Sequence, residues 1–296
     1  MAFISVKNLS FSYDAKAAEK DDAAYVLKDV TLDIEKGSFV CVLGRNGSGK
    51  STFAKLLNSV LSPTSGTVTV DGTDVSSPDM SEDEIISVRK KIGMVFQDPD
   101  DQLVTTIVEE DVAFGPENIG IDPAEIRVRV DEALRTVGMT EFASHSTHQL
   151  SGGQKQRIAV AGILAMEPEC IVLDESTAML DPQGRRDIMD TVTRLNKEKG
   201  ITIIHITHNM EEAVAADRVL VIDGGRFVLD GAPREVFSNV EKLRGIGLDV
   251  PQVTELCHLL RKQGLDVPSD VIDPDEGADA VCDALNNKKY RSYGPD

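Results

Sequence analysis

Along the chain, short continuous apolar runs alternate with stretches in which apolar residues recur every three or four positions. "FVCVLG" precedes "TFAKLLNSV", "CIVLDE" precedes the segment from Pro182 to Lys199, and "ITIIHITH" precedes "NMEEAVAA". A continuous apolar run suits a strand buried on both faces, and the longer period suits a helix lying over it. The rhythm predicts an α/β fold with a buried parallel sheet. In the helix after Ser51, Phe53, Leu56, Leu57 and Val60 share one face, and Pro63 with Gly66 ends it.

Other stretches have a different texture. "GTVTVDG" and "RVLVIDGGRFVLDG" read as hairpin strands with Asp-Gly turns. Between Val95 and Leu150 helices and acidic loops predominate, and "DPAE" at Asp122 to Glu125 supplies an N-cap, a proline at the first helical position and a capping glutamate. This predicts a helical insert in the α/β core. From about Val236 the strand signals fade, and residues 239–270 read as two helical pieces separated by proline-bearing turns, a C-terminal extension. The final "NNKKYRSYGPD" reads as a frayed polar end, and "AKAAEKDDAA" as a polar loop.

"LSGGQ", Leu150 to Gln154, stands before the helix-length run "IAVAGILAM". Ser151 and Gln154 have capping-box spacing, which accounts for the serine and the glutamine. It leaves the glycine pair, which costs about 0.5–1 kcal/mol per residue relative to alanine. Bare backbone N–H groups at a helix N-terminus suit an anion.

A chain of 296 residues with 41% apolar content is long enough to bury a sizeable core. Its formal net charge of −19, from 50 acidic and 31 basic residues, repels phosphate backbones and argues against nucleic acid as a partner. Any phosphate site must therefore be local. Cys41, Cys170, Cys257 and Cys282 form no CxxC pair, and the first two lie in apolar runs, as reduced core cysteines of a cytosolic protein do. The N-terminus carries no signal-peptide pattern, and no window reaches the ~18 apolar residues that span a bilayer. The expectation is a soluble chain, held at a membrane only by a partner.

"GRNGSGKS", Gly44 to Ser51, has the P-loop pattern between a predicted strand and a predicted helix. The candidate phosphate cradle is Gly44, Arg45, Asn46, Gly47, Ser48, Gly49, Lys50, Ser51 and Thr52. Backbone N–H groups curl round the phosphates, Lys50 neutralises the β and γ charges, and the Ser51 hydroxyl faces Mg²⁺. A glycine turn with a surface lysine does not explain a cation where the helix dipole disfavours one. "CIVLDE" brings two carboxylates to a strand end: Asp174 for the Mg²⁺ shell and Glu175 as general base for water. Two solvated acids after an apolar strand are common, and the P-loop is what gives the pair meaning. His208 in "ITHNM" and Gln97 in "IGMVFQ" are ordinary strand-end residues in isolation; beside a γ-phosphate they gain roles in catalysis, and Gln97 also as a metal ligand.

In order and spacing, "GRNGSGKS", "VFQ", "LSGGQ", "CIVLDE", "MLDP" and "ITH" resemble the P-loop, Q-loop, signature, metal-binding strand, D-loop and switch histidine of ATP-binding cassette proteins. The resemblance covers roughly Phe3 to Phe237. It implies a P-loop NTPase (RecA-like) core with an antiparallel β subdomain and a helical subdomain at about 98–165, the cassette spanning 1–236, and a small C-terminal helical extension over 237–296. It also implies that two cassettes face head to tail, so that Ser151, Gly152, Gly153 and Gln154 of one meet the ATP held by the P-loop of the other. Tyr13 in "FSYD" would stack on adenine, and Asp181 would link the two sites. Ser176 stands where many cassettes have proline.

"VFQDPDDQLVTTIVEEDVAFGPEN" and "GLDVPQVTELCHLLRKQG" look more narrowly like the ATPases of energy-coupling factor transporters, importers of vitamins or of metal ions such as cobalt and nickel. "DESTAMLDP" leans towards the first of the two paralogues that pair there. The implied partners are that second paralogue, or a second copy of this chain, together with a transmembrane coupling subunit and a substrate-binding membrane subunit, at the cytoplasmic face of the cell membrane. Asp98, Asp100 and Asp101 would dock on basic helices of the membrane partner, or else form a solvated acidic loop. Rival readings are another importer's ATPase, a nucleotide-binding module without turnover, which the "DE" pair and His208 disfavour, and a cassette acting on DNA or ribosomes. The short span from Ser51 to Ser151 and the acidic charge oppose the last.

Overall fold

The computed structural model describes residues 2–14, 16, 21–77 and 79–287. Part of the polar loop expected at "AKAAEKDDAA" and the tail beyond Asn287 lie outside the described residues. A six-stranded sheet forms the centre, in the order β10-β9-β3-β8-β7-β6. Its strands are β3 (Phe39–Gly44), β6 (Ile92–Val95), β7 (Cys170–Asp174), β8 (Thr202–Thr207), β9 (Arg218–Asp223) and β10 (Arg226–Gly231). All neighbours are parallel except the β9–β10 hairpin. Every residue of β3, β6, β7 and β8 is buried, as their unalternating apolar runs require.

Successive residues of β3 point to opposite faces and so join different cores. Phe39, Cys41 and Leu43 pack with a helical layer of α3 (Val108–Asn118), α4 (Pro123–Thr136), α5 (Gly152–Ala165) and α6 (Pro182–Lys199). Val40 and Val42 pack with α1 (Lys50–Leu57), α2 (Glu82–Lys91) and an antiparallel sheet. That sheet has the order β2-β1-β4-β5, from β1 (Ala2–Phe11), β2 (Leu27–Glu35), β4 (Ser65–Val70) and β5 (Thr73–Asp74). The result is a parallel sheet between a helical layer and an antiparallel one. α7 (Met210–Ala213) follows β8 and is shorter than its sequence pattern indicates.

Several local expectations are corrected. α1 ends at Leu57 and Ser59 takes a left-handed φ of 49°, so Val60 leaves the buried face and is 43% exposed. The β4–β5 turn is the expected Asp71-Gly72, with φ of 46° and 80°, but Asp223 pairs with Arg226, so the second hairpin turns at Gly224-Gly225. Asp122 caps α4 through the Ala124 N–H, whereas Glu125 pairs with Arg129 one turn on. The Ser151–Gln154 capping box is present in both directions.

The C-terminal residues form α8 (Pro233–Phe237), α9 (Val240–Gly245), α10 (Gln252–Lys262) and α11 (Pro274–Asn287), the last a helix that the sequence pattern did not indicate. Phe237, Val240, Leu243, Leu248 and Val250 sink into the main core, while Cys257, Val267, Val271 and Ala284 make a small cluster of their own. All four cysteines are free thiols, Cys41 and Cys170 inside their strands.

Candidate nucleotide site

β3 delivers the chain into the loop at Gly44, where a Cβ would lie 2.6 Å from both the Ile222 carbonyl and Ser48 Oγ; only glycine fits. Gly47 and Gly49 take φ of 79° and 108°, and this left-handed pair turns the chain into α1. Arg45, Asn46 and Gly47 are the exposed tip, whereas Ser48, Gly49, Lys50 and Thr52 are buried. Ser48 Oγ is buried without a partner, an orphaned donor inside a concave loop. Lys50, 4% exposed, donates to the Gly44 and Arg45 carbonyls at 2.9 and 3.1 Å and lies 3.3 Å from Glu175 Oε1.

β7 and β8 bring the remaining polar groups to the same end of the sheet. Ser51 Oγ donates to Asp174 Oδ1 at 2.8 Å. Burial pushes the Asp174 carboxyl above its ordinary range and Glu175 adds to this, while the Ser51 hydrogen bond and the Lys55 and Lys50 charges only partly offset it. A half-compensated buried carboxylate beside a hydroxyl is an all-oxygen donor pair that fits a hard divalent cation. Glu175 takes a left-handed φ of 48° while its N–H donates to the Ile206 carbonyl at 2.9 Å, prolonging the β7–β8 ladder. Such a conformation costs about 1–3 kcal/mol in a non-glycine residue and turns the side chain towards Lys50. His208, 58% exposed at the end of β8, approaches Glu175 Oε2 with Nδ1 at 3.7 Å.

Tyr13 is 67% exposed beside α1: its hydroxyl lies 3.2 Å from Thr52 Oγ1 and its ring stands edge-on to Phe11. Gln97 is exposed and hydrogen-bonds no described residue; Phe96 beside it is held instead by Gln102 and Gln156. Ser151, Gly152, Gly153 and Gln154 share a separate cleft with Asp181, whose carboxylate caps α6 through the Gly184 N–H at 2.7 Å. No residue of the P-loop lines that cleft among the described residues. A Cβ on Gly152 would meet nothing within 4 Å, so the chain's own packing does not demand this glycine.

A family model described as "ABC transporter" matches residues 27–178. The chain is 56% identical over 283 residues to the energy-coupling factor transporter ATP-binding protein EcfA1 of Caldanaerobacter subterraneus subsp. tengcongensis, covering 95% of this chain and 100% of that relative. The chain belongs to the ABC transporter family. EcfA1 of Clostridium perfringens is 54% identical over 279 residues, 94% of this chain and 97% of the relative. Among solved structures, cbiO1 from Clostridium perfringens, described as part of the ABC transporter complex cbiONQ, superposes with a TM-score of 0.72 at 39% identity, covering 88% of this chain and 99% of that one. A dimeric ATP-binding cassette in a post-hydrolysis state with ADP and Pi superposes with a TM-score of 0.70 at 32% identity, covering 78% and 98%. This ABC protein is an ATPase, the ATP-binding subunit of an energy-coupling factor transporter.

The cassette also holds polar residues that its motifs do not announce. His205 is wholly buried on β8, and Glu212 on α7 receives its Nε2 at 2.7 Å. In sequence, His205 is masked by the apolar run around it and Glu212 by its neighbour Glu211. Lys155 pairs with Asp100 at 2.6 Å, tying the segment after Gln97 to the signature helix.

Proposed function

We propose that ATP is held between the P-loop of one cassette and the signature cleft of another. The carrying observation is the division of the site: Lys50, Asp174, Glu175 and His208 gather at the P-loop, while the open-faced Gly152 lies in a cleft lined by none of them. Residues Gly44 to Thr52 cradle the phosphates with backbone N–H groups and the orphaned Ser48 hydroxyl, and Lys50 exchanges Glu175 for phosphate charge. Tyr13 stacks on the adenine. Ser51 and Asp174 would hold Mg²⁺, with Gln97 joining on closure; bound there, the ion neutralises phosphate charge. Glu175 takes the proton from the attacking water, and His208 hydrogen-bonds water and phosphate.

In this reading residues 1–236 are the cassette, about 98–165 its helical part, and 237–296 the extension. Asp181 links the two sites. The dimer pairs with a second paralogue or a second copy. The names of the relatives, an energy-coupling factor transporter ATP-binding protein and a part of the ABC transporter complex cbiONQ, support assembly with transporter subunits. In this reading the partners are a transmembrane coupling subunit and a substrate-binding membrane subunit at the cytoplasmic face of a cell membrane, for import of vitamins or transition-metal ions. Among the described residues no helix is long and apolar enough to cross a membrane, which fits attachment through partners. ATP favours the closed pair by binding it more tightly, and hydrolysis reopens it.

The test is Glu175→Gln. It should bind ATP like the wild type, lose turnover, and run as an ATP-dependent dimer in size-exclusion chromatography. Hydrolysis at the wild-type rate would remove Glu175 from the role of base.

A further inference from the structure

Glu212 is a charged side chain only 4% exposed. Its Oε2 accepts from His205 Nε2 at 2.7 Å, Thr207 Oγ1 at 2.7 Å and Thr177 Oγ1 at 3.0 Å. Its Oε1 accepts from Asn209 Nδ2 at 3.5 Å and faces Arg185 Nε at 3.4 Å. These donors come from the segments that surround the reacting end of the site. Thr177 belongs to the turn that follows Glu175, Thr207 and Asn209 flank His208, and Arg185 stands in the first turn of α6 behind Asp181. Thr207 Oγ1 also accepts the Asn209 N–H at 3.0 Å, closing the strand end around His208.

Burial pushes the Glu212 carboxyl up, but the hydrogen bond and charge of His205 and the hydroxyls of Thr207 and Thr177 bring it below its ordinary range. An ionised carboxylate only accepts, so the shared proton lies on His205 Nε2, and Nδ1 of that ring is buried without a partner. A buried charge of this kind is weak evidence for stability, because an apolar side chain of similar volume often serves as well. What the carboxylate provides is one acceptor shared by side chains of the turn after Glu175 and of both shoulders of His208, beyond the backbone ladder that joins β7 to β8. Among the described residues the polar approach of the largely exposed His208 ring is to Glu175, and its placement depends on the backbone on either side.

We propose that Glu212 is the positioning residue that sets the separation and orientation of Glu175 and His208, by binding the turn after one and both shoulders of the other to a single carboxylate. The proposal rests on the roles of Glu175 and His208 given above. None of the groups bound to Glu212 belongs to Gly44–Thr52, so its influence falls on the chemical step and spares ATP affinity.

The experiment uses the full-length chain and compares Glu212→Gln with the wild type in single-turnover ATP hydrolysis and ATP-binding titrations. Glutamine keeps the volume but turns an amide donor towards groups that all donate. The rate should fall by about tenfold to a hundredfold, the scale expected for a misplacement near 1 Å, with Kd for ATP within about twofold. Thr177→Val should move the rate the same way by a smaller factor, and Thr177→Ser should restore it. The deciding comparison adds each change to His208→Ala. With the histidine gone no Glu175–His208 separation remains to be set, and Glu212→Gln should lower the residual rate by a clearly smaller factor than in the wild type. A loss as large in that background as in the wild type overturns the proposal, as does a weaker Kd with an unchanged rate. Should Glu212→Gln fail to fold, Thr177→Val against Thr177→Ser in both backgrounds separates the same two outcomes. Glu175→Gln, assayed in parallel, tests the ATPase roles separately: turnover retained there removes Glu175 as base whatever Glu212 does.

Discussion

At the residue scale, single side chains in this protein sit where folding alone would not put them. Asp174 is the clearest: burial raises its carboxyl above the ordinary value of 3.8. The folded state therefore holds that proton more tightly than the unfolded chain, and ionisation of Asp174 costs stability as pH rises through the folded-state pKa. Asp174→Asn should melt higher than the wild type at neutral pH, lose that advantage below about pH 3.8, and lack ATPase activity. Thermal melts across a pH series check the first two points. Gly152 shows the converse, a residue with freedom that the single chain does not use. Gly152→Ala should leave the monomer unchanged or stabilise it by up to about 1 kcal/mol, while lowering ATPase activity by an order of magnitude or more, because in the proposed pair the lost space faces the other cassette. Unfolding and turnover measured on the same preparation separate these effects.

At the element scale, strand burial was written plainly in the sequence, whereas hairpin turns and helix ends depended on local geometry. "IDGGR" offers both Asp-Gly and Gly-Gly, and pairing of Asp223 with Arg226 decides for the second. The two glycines are unequal. A Cβ on Gly224 meets nothing within 4 Å, whereas on Gly225 it would lie 2.5 Å from the Val26 carbonyl. Both have positive φ, which asparagine tolerates better than alanine does. Gly224→Asn should cost under about 1 kcal/mol and Gly225→Ala over about 2 kcal/mol in denaturant unfolding. Capping was legible where side chain and backbone lie a few residues apart, as at Ser151 and Asp122. At Glu125 the i+4 arginine competes for the same carboxylate, and spacing alone does not reveal the outcome.

At the scale of the whole molecule, the C-terminal residues divide by what they touch. Phe237, Val240, Leu243, Leu248 and Val250 complete the main core, whereas α10 and α11 close chiefly on each other. A chain ending at Val250 should fold with a modestly lowered melting temperature. A chain ending at Val236 should be insoluble or molten, since loss of a buried phenylalanine alone costs about 3–5 kcal/mol. Expression, circular dichroism and thermal melts of the two truncations check this.

The sequence alone determined the elements and the chemical inventory. Periodicity reports burial, and the P-loop, the "DE" pair and the signature are contiguous stretches whose spacing is their meaning. Only the tertiary structure decided which of these groups meet. The 3.3 Å contact of Lys50 with Glu175, the orphaned Ser48 hydroxyl, and the His205–Glu212 pair join residues far apart in the chain or hidden in apolar runs. Register and strand order fix such contacts, because parallel pairing of β3, β7 and β8 delivers their C-terminal ends to one edge of the sheet.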